Sequence, residues 1–432
     1  MTALGWKSTA WTAALLAAAF LWYAAVEQFG LLPFLGVLPM PPHFMDWYGV
    51  VAASDCAKLG YNVFLQNPCD ALGRLHNYGT IWLKLGSLGL TRGNGWWTGL
   101  LIAIGFVVAA AVALRPRSPR DFAIALAAIG SPAVLLGVER ANVDLIVFAA
   151  LLGATFLLMR PTALGKWLSA AIYLLLTVAK LYPMVAFVSV FWSGGSRRSA
   201  LFAFAGFIAA VAVWGVLDAD EIKTVIGVFQ KPGLNPLSHG GSLLYATLIF
   251  QQWIPATIDA DRAALITLGL VYLCSLFCAR HLHIDGQGAI RNRVLFVAGA
   301  SIAVLAFGMT TNFDYRNIFL LLALPLVVEL SAETQGAANG RLRAVARACL
   351  WFLMFTLWAN LLLVSMVPVA VLVNADDGLA RSLISLGYLA KHLGHWILIF
   401  LFMLLGNALL LQRWRMRFAG TPLPSLEAPS PA

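Results

Sequence analysis

Long apolar runs, broken by short charged turns, set the rhythm of this chain. The first runs from about Thr12 to Leu38. It is longer than a signal h-region and lacks a small-residue cleavage site, which predicts a retained helix. Similar runs predict helices from about Trp96 to Leu114, Asp121 to Val138, Val143 to Met159 and Ala200 to Leu217. Later runs end near Ala279, near the turn Thr310-Thr-Asn-Phe-Asp-Tyr-Arg316, near Arg341, near Val373 and at Arg413, Arg415 and Arg417. Several reach the roughly 20 residues that span a hydrocarbon core.

The signs of the turns give a direction to each crossing. Arg115 to Arg120, Arg160 to Lys166, Arg280 to Arg293 and Arg341 to Arg347 are basic, hence cytoplasmic. One stretch, Trp167 to Trp192, breaks the alternation, because Lys166 and Arg197-Arg198 flank it with the same sign. A broken hairpin restores it. Trp167 to Ala179 goes out, Met184 to Trp192 returns, and Lys180-Leu-Tyr-Pro183 is the tip. At about 1.5 Å per residue neither arm crosses ~30 Å of hydrocarbon. Such backbone must be buried in protein or line water.

The expectation is an all-α polytopic membrane protein of about 10–12 membrane segments with short broken helices, both termini cytoplasmic. It forms a single domain over residues 1–420, with a first outer loop at 41–94 that carries short interfacial helices and a second outer loop at 218–262. The Pro- and Ser-rich end, 421–432, is expected to be a disordered cytoplasmic tail. No internal repeat of the transporter type is visible.

Composition agrees with that pattern. Apolar residues make up 61% and charged residues 11%, against about 25% charged in soluble domains. The net charge of +10 sits in short loops and implies no nucleic-acid partner. Cys274, Cys278 and Cys349 fall in apolar runs. Cys56 and Cys69 share the first polar loop; they are either a disulfide, if that loop faces an oxidising compartment, or two free thiols. No Gly-Lys-Ser/Thr phosphate loop and no Ser elbow occurs, and His281 and His283 are not spaced as a helical zinc pair.

Candidate chemistry gathers on one side of this topology, and each residue has two readings. Asp46 is a general base or an N-cap of the helix that follows. Asp55, three residues before Lys58, reads as a helix-surface ion pair. In Glu139-Arg-Ala-Asn-Val-Asp144, Arg140 beside a helix N-terminus suits a phosphate. Alternatively Glu139 and Arg140 pair with each other. Asn142 is placed to cap the next helix, with Asp144 favouring its positive end. Lys180 has apolar neighbours and snorkels or serves a site; Tyr182 and the helix-breaking Pro183 follow it. His76 ends the first loop in His76-Asn-Tyr78. His239, with Gly240-Gly241 and Asn235-Pro236, reads as a flexible loop that lids a cavity or as a plain outer loop, and Asp314-Tyr-Arg316 as an outer turn with a local salt bridge or a site element.

Two stretches resemble a family. Asp46 with the aromatic pair Trp47-Tyr48, the turn Lys58-Leu-Gly-Tyr-Asn62 and His76-Asn-Tyr78 is similar to the first luminal loop of GT-C glycosyltransferases. Arg140-Ala-Asn142 and Lys180-Leu-Tyr-Pro183 resemble the Arg-Gly-Asn and Lys-Ile-Tyr-Pro elements of the GPI mannosyltransferase I catalytic subunit and of bacterial family 87 polyprenyl-phosphate-mannose-dependent mannosyltransferases. The likeness covers about the first 190 residues. This chain departs from the pattern with a single acid in Asp46-Trp-Tyr and with Gly79 after Tyr78.

The resemblance implies a GT-C-like bundle that carries out an inverting hexosyl transfer, with mannose a candidate sugar. A polyprenyl-phosphate sugar is the donor, and an envelope glycan or lipid is the acceptor. Asp46 is the catalytic base. Arg140, Asn142, Lys180, Tyr182, His76 and Arg316 serve the donor phosphate or substrate. It leaves room for a divalent metal, Mg or Mn, and places the site at the extracytoplasmic face of a bacterial inner membrane among its lipids. The competing expectations are a lipid-linked sugar flippase or transporter, and a non-catalytic envelope-assembly subunit. A flippase usually carries charges near the bilayer midplane, whereas here they gather toward one face.

Overall fold

The computed structural model describes residues 3–160, 162–194, 196–228, 237–284, 289–309, 312–332, 340–372 and 377–418. The expected tail at 421–432, Asn235-Pro236, Thr310-Thr311 and Asp376 lie outside them. Within the described residues the regular structure is helical apart from one two-stranded ladder. Eight of these helices are long and apolar enough to cross a membrane. A bent pair of shorter helices supplies a ninth span, and four shorter apolar helices, Val143–Leu158, Ala163–Ala179, Tyr182–Trp192 and Gly241–Phe250, stand beside these spans.

The N-terminal helix α1 (Ala3–Gln28) stops well before Leu38. Gly30 turns at φ +60, and Pro33 opens a separate 3₁₀ turn, Pro33–Leu35. After α2 (Met45–Lys58) and α3 (Gly95–Leu114), the run expected as one helix is two, α4 (Pro119–Ile129) and α5 (Pro132–Arg140), bent by 52°. Pro132 lacks the N–H that would continue α4, yet it suits the first position of α5. Helix α6 is Val143–Leu158 and α7 is Ala163–Ala179. Thr162 caps α7 through the Gly165 N–H, so this arm begins earlier than Trp167. The returning arm, Tyr182–Trp192, is a 3₁₀ helix, which rises about 2 Å per residue and so reaches further than an α-helix of equal length.

Helix α8 (Arg197–Leu217) is followed by α9 (Ala219–Val228), β1 (Ser238–His239), α10 (Gly241–Phe250), α11 (Ala260–Ala279) and α12 (Ile290–Met309). Strand β2 (Asn312–Phe313), a 3₁₀ turn (Asp314–Phe319), α13 (Leu320–Ala332), α14 (Gly340–Leu372) and α15 (Asp377–Phe418) complete the chain. Of the span in α13, 83% is buried, against 17% in α1, α8 and α11. Helix α13 is therefore central, and the other three present their apolar sides outward. The main core joins Phe148, Phe187, Phe296, Phe319 and Phe402 across the bundle. Strands β1 and β2 pair antiparallel, Ser238 opposite Phe313 and His239 opposite Asn312.

The first polar loop is also structured. Cys56 and Cys69 form a disulfide with S–S 2.04 Å, so the free-thiol alternative does not hold. Ser54 donates to the Leu83 carbonyl and accepts from the Gly86 N–H, tying α2 to the 3₁₀ segment Thr80–Leu88. Asp55 forms an ion pair, but with Arg92 at 3.4 Å rather than with Lys58. Lys58 instead donates to the Gly86 carbonyl.

Candidate functional site

Asp46 lies in the first turn of α2, where an acid complements the positive helix end. It does not cap that helix: the cap position is Phe44, in the left-handed region at φ 65. The two carboxylate oxygens have different partners. Oδ1 accepts from Arg74 Nη1 at 3.1 Å, and Oδ2 accepts from Asn142 Nδ2 at 2.7 Å. Arg74 is held in turn by Asp70 at 3.0 Å and by the Met45 carbonyl at 2.7 Å. Gly49 makes room for this cluster, because a Cβ there would stand 2.6 Å from Arg74 Nη2.

Asn142 caps α6, its Oδ1 accepting the Asp144 N–H at 3.0 Å. Its amide nitrogen is therefore free to turn to Asp46. Asp144 is fully buried and does more than complement the helix end. It accepts from Lys180, from the Tyr182 hydroxyl at 2.6 Å, and stands 3.5 Å from Arg316 Nε. Lys180 does not snorkel. Its ammonium lies 4.9 Å from the centre of the Tyr78 ring.

Glu139 and Arg140 end α5 side by side, 3.7 Å apart. Glu139 Oε1 accepts the Met40 N–H at 2.8 Å, and its carbonyl accepts the Phe44 N–H at 3.0 Å. These bonds hold the segment entering α2 against α5. Arg140 is buried over the Phe313 ring, 5.9 Å from its centre. Among the described residues, none of its guanidinium N–H groups donates a hydrogen bond, and its Nε pairs with Glu139 across 3.7 Å, as the alternative reading had it.

A cavity of about 340 Å³ opens between these groups. Asp46, Arg74, His76, Tyr78, Arg140 and Tyr315 line it. His76 is buried against Phe64 and Tyr78, with Nε2 3.4 Å from the Gly79 carbonyl. Burial pushes its pKa down to about 4, so the ring is neutral near pH 7. Burial also raises the Tyr78 hydroxyl well above its ordinary range.

Of the residues singled out in the sequence, Asp46, His76 and Arg140 share the cavity wall. Asn142 stands directly behind Asp46. Lys180, Tyr182 and Arg316 form a layer around Asp144 and are not part of the wall. Two expectations are corrected here. Asp314 and Arg316 form no local pair: Asp314 binds Lys391 at 2.6 Å, and Arg316 turns to Asp144. His239 is not on an unanchored loop but is buried in the strand ladder, 3.4 Å from Asp314. Sequence reasoning placed Arg74 among the outer polar groups and Asp144 at a helix end without their partners, and passed over Asp70, Tyr315 and Lys391. The signal for Asp144 was charge parity, a carboxylate in an apolar run facing a Lys in the next one.

Among the described residues, no three His, Cys, Asp or Glu side chains come together as a metal site. The acids of the cavity wall, Asp46 and Asp70, both accept from Arg74.

Apolar spans packed around a buried centre, with polar groups turned to one cavity, define an integral membrane protein of the all-α polytopic class. The chain matches no protein-family model, no curated protein and no solved structure.

Proposed function

We propose that the protein is an inverting GT-C-type glycosyltransferase that moves a hexose, such as mannose, from a polyprenyl-phosphate carrier to an envelope glycan or lipid. The observation that carries this reading is the shared cavity. A carboxylate held by two donors faces a buried Arg whose guanidinium N–H groups have no hydrogen-bond partner among the described residues. The unfilled donors suit an anion, and the carboxylate suits a hydroxyl.

In the reaction, the acceptor oxygen attacks the sugar's anomeric carbon from the face opposite the phosphate. Its proton passes to Asp46. Each carboxylate oxygen has more than one acceptor site, so the bonds from Arg74 and Asn142 leave room for it. The bond from the anomeric carbon to the phosphate oxygen breaks, and its electron pair leaves with the polyprenyl phosphate. Arg140 receives the developing negative charge. His76, neutral, hydrogen-bonds a sugar hydroxyl. Lys180 and Arg316 outnumber Asp144 by one positive charge and add a favourable field from behind Tyr78.

The basic turns support a cavity on the extracytoplasmic side, in this reading that of a bacterial inner membrane. The Cys56–Cys69 disulfide supports an oxidising side for that loop. Replacing Asp46 by Asn tests the reading. Transfer from a mannosyl-phosphopolyprenol to an envelope lipid extract should fall by roughly 10²–10⁴-fold, the usual worth of a general base. A flippase or a scaffold subunit would keep working with Asn at that position.

A further inference from the structure

Lys391 is fully buried in the middle of the last helix, α15, inside a span of apolar residues. An ammonium there is costly, and a fold seeking stability alone does better with an apolar side chain. Its bonds indicate what it serves. Nζ donates to Asp314 Oδ2 at 2.6 Å and to Asn360 Oδ1 on α14 at 2.9 Å. The other oxygen of Asp314 stands 3.4 Å from His239 Nδ1. The His239 ring stacks on His395, one turn along α15 from Lys391, at 5.4 Å and 9°.

Two chain segments, far apart in sequence, meet at this carboxylate. The Asp314 N–H donates to the Leu237 carbonyl at 2.8 Å. Ser238-His239 pairs with Asn312-Phe313 in the ladder. Leu237, Phe313 and Tyr315 each line the cavity, and Arg316, the next residue, reaches Asp144. Successive residues of one 3₁₀ turn thus face the Lys391 cluster, the cavity and the Asp144 cluster.

We infer that Lys391 is a positioning residue for the cavity. Acting through Asp314, it holds both of these segments of the cavity wall in place to grip the sugar. The inference rests on the transferase reading for its kinetic consequence but not for its structural one. Lys391 touches no substrate and takes no part in proton transfer.

Two measurements on the full chain in detergent test it, using Lys391→Met, Lys391→Arg and the double variant Lys391→Met/Asp314→Asn, which buries no net charge. The first is hydrogen exchange at 237–239 and 312–316. Protection there should drop at least tenfold in both Met variants, with α6 and α7 unchanged, and Arg should restore part of it. Wild-type protection in the double variant overturns the anchor, whether or not the protein transfers sugar. The second is transfer kinetics with mannosyl-phosphopolyprenol as varied donor. A loosened wall should raise KM at least tenfold and leave kcat within about threefold. A residue that only keeps molecules folded would lower the apparent kcat at constant KM, and that result overturns the positioning role. Should wild-type enzyme transfer no sugar, the transferase reading fails while the exchange measurement still decides the anchor. If Lys391→Met does not fold, the double variant alone carries both measurements.

Discussion

The side chain of Asn142 ties the Asp46 carboxylate to the start of α6: its nitrogen donates to Asp46 at 2.7 Å, and its oxygen caps Asp144 at 3.0 Å. One amide thus sets the position of the candidate base relative to the buried Asp144 cluster. Asn142→Ser and Asn142→Ala separate its two roles. Ser keeps a cap and is too short to donate to Asp46, so transfer should fall at least tenfold with little change in thermal stability. Ala removes both and should also cost about 1 kcal/mol of stability. Equal stability loss in the two variants would contradict this division.

Asp144 is the counter-charge shared by two interior cations, Lys180 and Arg316. Asp144→Asn should destabilise the protein by about 3–5 kcal/mol, the scale for removing one member of a buried ion cluster. Thermal unfolding in detergent measures it. Asp55, whose partner Arg92 is half exposed, is the comparison: Asp55→Asn should cost no more than about 1 kcal/mol.

His76 makes the first loop sensitive to acid. Its pKa is about 4 in the folded protein and about 6.5 in an unfolded chain. Between those values the unfolded form binds the proton and the folded form does not, so stability rises with pH across that window. Below about 4 both forms are protonated, and above 6.5 both are neutral. Unfolding followed from pH 4 to pH 7 should show this slope, and His76→Gln should flatten it.

The disulfide closes the loop from Cys56 to Cys69, and Asp70, a ligand of Arg74, follows that loop directly. Replacing Cys56 and Cys69 by Ser should lower stability by up to about 3 kcal/mol, the loop-closure scale for this length. Transfer should weaken more than the overall fold, because Arg74 loses its backing. Limited proteolysis between residues 59 and 75 reports the local loosening.

Much of the architecture was legible in the sequence because it rests on near neighbours. Apolar run length predicted the spans. The Asn142 cap and the broken hairpin at Lys180 each depend on a few adjacent residues, whereas the run across Pro132 reads as one helix and is two. Sharing one short loop made Cys56 and Cys69 candidates for each other. The placement of Asp46, His76 and Arg140 on one side followed from charge parity along the chain.

Only the tertiary structure decided which charges meet. Arg74 reaches Asp46 across 28 positions, Lys180 reaches Asp144 across 36 and Lys391 reaches Asp314 across 77. No local rule selects among such partners. They follow from which apolar faces pack together, and a buried charge must then accept whatever counter-charge that packing brings within reach. The same packing moved Lys180 and Arg316 off the cavity wall and left Arg140 there with its guanidinium N–H groups unfilled.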